Sequence, residues 1–282
     1  MVDIEATALN RGELLASWPE GTTLGWDFAG TVRTAAEDGS GPPAGTQVFG
    51  WTPSTGTWAE RALVPTTTLA RLPAGLSPVA ASAIGVAGVT ALYALRRGGS
   101  LLGRTVIVTG AAGGVGRIAV QLAVRAGAAV HAIVGAGPGR IDAITSLELE
   151  GVTVAHSLEP KGERAHLILE SVGGDSLSAA CRRVAHGGVI VTYGRSSQKP
   201  GSVPPDWFYR DARIEGLQFK RDALRDDRSP SALETLASLA ARGQLDPGVG
   251  LADDWLNLPA AAKRVLDREV PGRAVLRVHG GC

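Results

Sequence analysis

The chain has 282 residues, 44% hydrophobic and 20% charged, with a formal net charge of +1; this is globular composition, long enough for one large or two modest cores. The balanced charge, with no dense basic run, argues against nucleic acid or an anionic membrane as partner. Two cysteines, Cys181 and Cys282, without CxxC or cysteine–histidine spacing, argue against a disulfide framework or a structural zinc and fit a reducing compartment.

The N-terminus, "MVDIEATALN", has no basic region followed by an apolar core, so no signal peptide and a cytoplasmic location are expected. Residues 1–77 are rich in Gly, Pro, Thr and Trp, with short alternating runs such as "GTQVFGWTP" and "TWAERALVP". They predict an irregular β domain. The uncharged run 79–95, "VAASAIGVAGVTALYAL", is too short and too rich in Ala and Gly to cross a bilayer; it predicts a buried helix between two domains. From residue 105 strand and helix alternate. "TVIVTG" (105–110), "AAVHAIVG" (128–135), "VTVA" (152–155), "HLILESVGG" (166–174) and "VIVTYG" (189–194) read as strands. "RIAVQLAVRAG" (117–127), "RIDAITSLELEG" (140–151) and "DSLSAACRRVAHGG" (175–188) read as helices. Continuous apolar strands joined by amphipathic helices predict a doubly wound parallel sheet. "ARIEGLQF" (212–219) predicts one more strand at the sheet edge, flanked by the charged "KRDALRDDR" (220–228). Residues 246–282 predict one helix and a final strand. The expected arrangement is a nucleotide domain, 78–245, inserted between two pieces, 1–77 and 246–282, of a second domain.

The turn "TGAAGGVGRIAVQLA" (109–123) carries the chemistry. It follows a strand and opens a helix. Gly110, Gly113 and Gly116 suit a tight turn, close approach of backbone to pyrophosphate, and helix-to-strand packing. The helix N-terminus offers free N–H groups and the positive end of its dipole. The alternative is a tight turn without a ligand. At the end of the second strand Gly135 stands where an NAD-binding unit places an acid, so nothing repels a 2′-phosphate. Arg140 is placed to pair with one, or is a solvated charge at a helix start. NADPH is the expected cofactor.

Several stretches then carry a resemblance: "ATALNRGEL", "LGWDFAG", "WAERALVP", "GVTALYALRRGG", "TVIVTGAAGGVGRIAVQLAVRAGA", "SVGGDSL", "GGVIVTYG" and "GRAVLRV". Their order over nearly the whole chain resembles the medium-chain dehydrogenase/reductase superfamily, of the zinc-independent quinone oxidoreductase and enoyl reductase type. The resemblance implies an α/β fold in which a doubly wound Rossmann domain is inserted in a smaller, irregular β-rich (GroES-like) catalytic domain, with NADPH bound between them. The candidate cofactor residues are Thr90, Gly110, Gly113, Gly114, Val115 and Gly116, with Gly135, Arg140, Tyr193 and Gly194.

Departures from that pattern shape the expected chemistry. Where zinc alcohol dehydrogenases of the superfamily have a cysteine and a His-Glu pair, this chain has Asn10 and Trp26–Asp27. A tetrahedral zinc site is therefore not expected. Family members run on ahead of the strand that here begins "VDIEATALN", so missing edge strands are expected to open one side of the substrate domain or to leave it to a partner. His156 or Ser157 stands in for a family tyrosine near the 2′-phosphate, and Arg140 for a lysine. A hydride donor without a metal suits conjugate reduction of an enone, quinone or enoyl thioester, with charge developing on the carbonyl oxygen. Asn10, Arg11 and Arg195 are the candidate donors to that oxygen. Tyr93 is either a proton donor or core. Asn10 is either catalytic or a structural hydrogen-bonding group. Trp26 reads as packing, Asp27 as a structural acceptor and His131 as an interior side chain. Two other classes stay open: a cofactor-bound cyclase or isomerase without net redox, and a nucleotide-binding subunit without catalysis. The expected partners are a small-molecule substrate and a second copy of the chain, in a homodimer paired through the edge strand at 212–219.

Overall fold

The computed structural model describes residues 1–225 and 229–279. In chain order they form β1 (Val2–Leu9), α1 (Arg11–Leu15), β2 (Asp27–Val32), β3 (Gln47–Trp51), β4 (Arg61–Ala62), β5 (Leu69–Arg71), α2 (Pro78–Ser82) and α3 (Gly85–Arg96). These are followed by β6 (Thr105–Thr109), α4 (Gly114–Arg125), β7 (Ala129–Ile133), α5 (Asp142–Thr145), β8 (Val152–Ala155), β9 (Ala165–Glu170), α6 (Gly174–Arg183), β10 (Val184–Thr192), β11 (Arg213–Gly216) and α7 (Phe219–Arg225). The chain closes with α8 (Ser229–Ala241), β12 (Val249–Asp254), α9 (Leu258–Leu266) and β13 (Arg273–Arg277). It divides into two compact units, 1–89 with 223–282, and 90–222. The sequence boundaries lay at 77 and 246. The difference has a packing cause: α2 packs on β1 and β2, and α8 packs on β5, where the Trp51 indole donates to the Ser229 hydroxyl at 2.8 Å.

Among the described residues the first unit holds one sheet, ordered β12-β13-β1-β2-β3-β5, with β4 on β1. Apart from the parallel β12–β13 pair, its pairings are antiparallel. β1 is closed by the C-terminal strand, with Ala6 opposite Arg277 and Leu9 opposite Ala274. Val2, Ile4, Phe28, Val48 and Leu69 form one core on this sheet. Strand β12 was not predicted; its short, half-buried alternation carries little apolar signal.

The single helix expected over 79–95 is two helices. Ser77 caps α2, its hydroxyl accepting from the Ala80 N–H, and Pro78 follows, a common helix start. The helix breaks at Ala83–Ile84 because α3 restarts against Asp27, whose Oδ1 accepts from the Val86 N–H at 2.5 Å. Gly85 permits this approach: a Cβ there would strike the Asp27 carboxylate and lie 2.7 Å from the Gly50 carbonyl oxygen. Among the described residues no helix is long and apolar enough to cross a membrane.

The second unit is an entirely parallel sheet ordered β11-β10-β9-β6-β7-β8. Every residue of β6 is buried, as continuous apolar strands of covered parallel sheets are. The helix expected over 140–151 is shorter. Only Ile144 of α5 is buried, too small an apolar face to hold a longer helix. Likewise α6 ends at Arg183, because Val184 already pairs with Ala165 of β9. The edge strand β11 is shorter than 212–219, although the Leu217 N–H still donates to Thr192 O at 2.8 Å. Of the charged stretch 220–228, residues 226–228 lie outside the described residues.

Candidate functional site

In the second unit the β6–α4 turn has the geometry its glycines predict. Gly110 has a φ of 63°, a left-handed conformation that glycine adopts without strain. A Cβ on Gly116 would collide with the Gly110 carbonyl oxygen and lie 2.6 Å from Ala111 Cα. The helix can therefore start this close to the strand only with glycine there. Gly113 caps α4 through backbone geometry alone, in an extended conformation, and its N–H donates to Gly110 O at 2.9 Å. Gly113, Gly114 and Val115 are partly exposed, at the end of a 12-residue helix whose first-turn N–H groups have no intrahelical acceptors. Such an exposed helix N-terminus can receive an anionic group, and at Gly113 and Gly114 its backbone carries no side chain.

Two further loops lie at the carboxyl ends of the same parallel strands, where ligands of such sheets sit. After β7, Gly135 takes a φ of 74°, and its carbonyl accepts from His156 Nδ1 at 2.9 Å. The Arg140 side chain folds back over Gly137; its Nε would lie 2.9 Å from a Cβ there. The loop 134–141 contains no carboxylate. After β10, the Tyr193 hydroxyl donates to Thr109 O at 3.4 Å, and burial raises its pKa well above the usual tyrosine range. Gly194 lies against Ser171, and Arg195 is exposed in the loop beyond. Thr90 and Tyr93 are on α3, both buried, with the Arg96 guanidinium 5.3 Å from the Tyr93 ring centroid.

Asn10 and Arg11 belong to the first unit, and here the structure adds what the sequence did not show. Asn10 caps α1 and sits in a buried cluster with Glu13, Asp27 and Arg273. Asn10 Nδ2 donates to Glu13 Oε2 and to Asp27 Oδ2, each at 2.8 Å, so both amide hydrogens are committed. Arg273 Nη1 donates to Asn10 Oδ1 at 2.8 Å, and Nη2 lies 2.5 Å from Asp27 Oδ2. Asp27 is thus the structural acceptor expected of it. Burial first, and then the neighbouring Asp27 charge, push the Glu13 carboxyl up to about 8, against hydrogen bonds from Asn10 and the attraction of Arg273. Glu13 Oε1 is buried without a hydrogen-bond partner among the described residues. Burial raises the Asp27 pKa too, opposed first by Arg273. Arg11, beside the cluster, is half-buried, and burial and the Arg268 charge lower its pKa. Glu13 and Arg273 were not singled out from sequence. The one available signal was the spacing Asn10-x-x-Glu13, a capping box, whose reciprocal bond from the Asn10 N–H to Glu13 Oε2 is present at 3.0 Å.

The family model of zinc-binding dehydrogenases matches residues 141–276, a span that holds Arg273 but neither Asn10 nor Asp27. The yhdH oxidoreductase from Salmonella enterica, solved in complex with NADP, is 27% identical with a TM-score of 0.80, covering 99% of this chain and 90% of its own. The Escherichia coli K-12 YhdH structure with bound NADPH is 26% identical with a TM-score of 0.79, covering 99% and 91%. An erythronolide synthase from Saccharopolyspora erythraea is 30% identical over 289 residues, 98% of this chain but 8% of that protein. The chain spans less than two thirds of the length of the curated relatives it matches. Its two units, one an all-parallel nucleotide-type sheet and the other a mixed β sheet, are the architecture of alcohol-dehydrogenase-like reductases. The chain is thus similar to zinc-binding dehydrogenases over residues 141–276 and to oxidoreductases solved with NADP or NADPH over nearly its whole length.

Proposed function

We propose that this chain is an NADPH-dependent oxidoreductase that reduces an activated C=C bond or a quinone without zinc. The observation that carries this is the β6–α4 cradle, closed to any side chain at Gly116, in a sheet whose β7 end bears no acid. Gly113, Gly114 and Val115 would hold the pyrophosphate, and Arg140 the 2′-phosphate. Bound NADPH would supply the hydride. The chain's own part is to orient the substrate and stabilise negative charge on its carbonyl oxygen. Arg195, at the carboxyl ends of the parallel strands, is the candidate donor to it in the second unit; in the first unit Arg11 is a better candidate than Asn10, whose two amide hydrogens are already used. The test is to screen quinones, enones and enoyl thioesters by loss of nicotinamide absorbance. Consumption of one NADPH per substrate is expected. NADPH binding with turnover but no consumption would replace the reductase with a cyclase or isomerase, and binding without turnover would point to a non-catalytic subunit.

Cofactor choice follows from Arg140. One charge-assisted contact is worth about 1.5–3 kcal/mol, so Arg140→Ala should lose roughly tenfold or more of the preference for NADPH over NADH. Titration of both cofactors checks this, and equal affinities in the unaltered protein would sink it.

Zinc independence has a local cause. The guanidinium of Arg273 already lies on Asp27 and Asn10 and would repel a divalent cation offered to the same two side chains. Purified protein should hold no stoichiometric zinc by elemental analysis, and a chelator should leave activity unchanged. One tightly held zinc per chain overturns this.

The homodimer is proposed through β11, the edge of the parallel sheet, whose free side offers unpaired backbone groups. Since the Leu217 N–H donates inward to Thr192, alternation along a parallel strand turns Ile214 and Gly216 to the free side. A proline at Ile214, rather than at Leu217, is the substitution that should break the pairing. Light scattering giving a monomer of 28.9 kDa for the unaltered chain would refute the dimer.

A further inference from the structure

One buried acid of the second unit has no part in the chemistry above. Glu170 ends β9 and is 1% exposed. Its Oε1 accepts from the Val172 N–H at 3.0 Å and the Gly173 N–H at 3.2 Å; its Oε2 accepts from the Gly173 N–H at 3.0 Å. Gly173 is the N-cap of α6. The carboxylate therefore fills the positive end of that helix, and the second glycine-rich corner, "SVGG" (171–174), is closed to an outside anion while the corner before α4 stays open. The corner is also tied to its neighbouring strand: the Ser171 N–H donates to Thr109 Oγ1 at 3.0 Å, and the Ser171 hydroxyl donates to Thr109 O at 3.0 Å.

The corner in turn carries the loop that follows β10. The Ser196 N–H donates to Ser171 O at 3.0 Å, the Ser197 N–H to Val172 O at 2.8 Å, and the Gly174 N–H to Lys199 O at 3.0 Å. Arg195 opens this loop. We propose that Glu170 is a positioning residue: its carboxylate fixes the corner 171–174, and the corner fixes the loop 195–199 at the carboxyl ends of the strands. Cofactor affinity then depends on a side chain that does not itself touch the cofactor. The affinity half of this statement rests on the NADPH assignment above; the positioning half does not.

Glu170→Gln keeps the size of the side chain but turns an NH2 group toward backbone donors that need an acceptor. In hydrogen exchange the amides of Gly174, Ser196 and Ser197 should exchange about tenfold faster or more, while those of β6 keep their protection. The KM for NADPH should rise about tenfold with kcat within about threefold, a loss of binding rather than of chemistry. Glu170→Asp, which keeps the charge on a shorter stem, should recover part of both effects. Unchanged exchange at the three amides overturns the proposal, and so does equal acceleration in β6, which would make the effect general loosening of the sheet. If the unaltered chain does not bind NADPH, the cofactor assignment fails, and the exchange comparison still decides the role of Glu170.

Discussion

Arg273→Met is expected to destabilise the first unit by about 3–5 kcal/mol, the cost of removing one partner of a buried ion pair. The Arg273 side chain is 6% exposed and that of Asp27 0%, so water cannot replace the lost guanidinium. Asp27 keeps the Val86 N–H and one Asn10 hydrogen, but it loses the one cation that offsets its burial. The methionine fills most of the volume, so the loss reports charge rather than a cavity. Urea unfolding at neutral pH measures it. Combining Arg273→Met with Asp27→Asn should restore part of the stability, because no carboxylate is then left unpaired. A loss below about 1 kcal/mol in the single variant would show that the pair holds nothing, as exposed pairs often do.

The second large effect is on pH dependence. The folded-state value of Glu13 lies near 8, above its ordinary 4.5. The folded chain therefore holds a proton that the unfolded chain releases between those values. The stabilisation linked to this proton is complete below pH 4.5 and is lost as pH rises through 8, at a slope of up to about 1.4 kcal/mol per pH unit. Glu13→Gln imitates the protonated form. Its stability should fall less steeply across that window and exceed that of the unaltered protein at pH 9. Asp27 is shifted in the same direction, so some slope remains in both proteins and the difference between them is what counts. Parallel stability curves from pH 5 to pH 9 would show that Glu13 titrates normally.

The second unit was legible because its signals are local. A covered parallel strand such as "TVIVT" has an unbroken apolar centre, and the spacing of Gly110, Gly113 and Gly116 records one turn within seven residues. The buried cluster was not legible for the opposite reason. Asn10, Glu13, Asp27 and Arg273 come from three separate segments, and an arginine in "GRAVLRV" looks like any charged residue at a strand start. Only the fold brings it to Asp27. The same blindness explains α3, whose break is imposed by a carboxylate 59 residues earlier in the chain. The sequence reading also passed over α8 (Ser229–Ala241), whose buried Leu233 and Leu236 belong to the first unit.

The cluster also bears on the order in which the chain can assemble. Asn10 and Arg273 are 263 residues apart, and β1 gains its β13 neighbour from nearly the far end of the sequence. The stretch 90–222 is continuous and has its strands and connecting helices close together along the chain, so it can close early. During synthesis the N-terminal strands must wait, with Asp27 lacking its cation and the Ala6–Leu9 stretch of β1 short of a neighbour on one side, until β13 emerges. A ribosome-bound chain halted before Arg273 would thus carry a finished nucleotide-type unit beside an unfinished sheet, and that open edge is where a chaperone or a neighbouring nascent chain would find its hold.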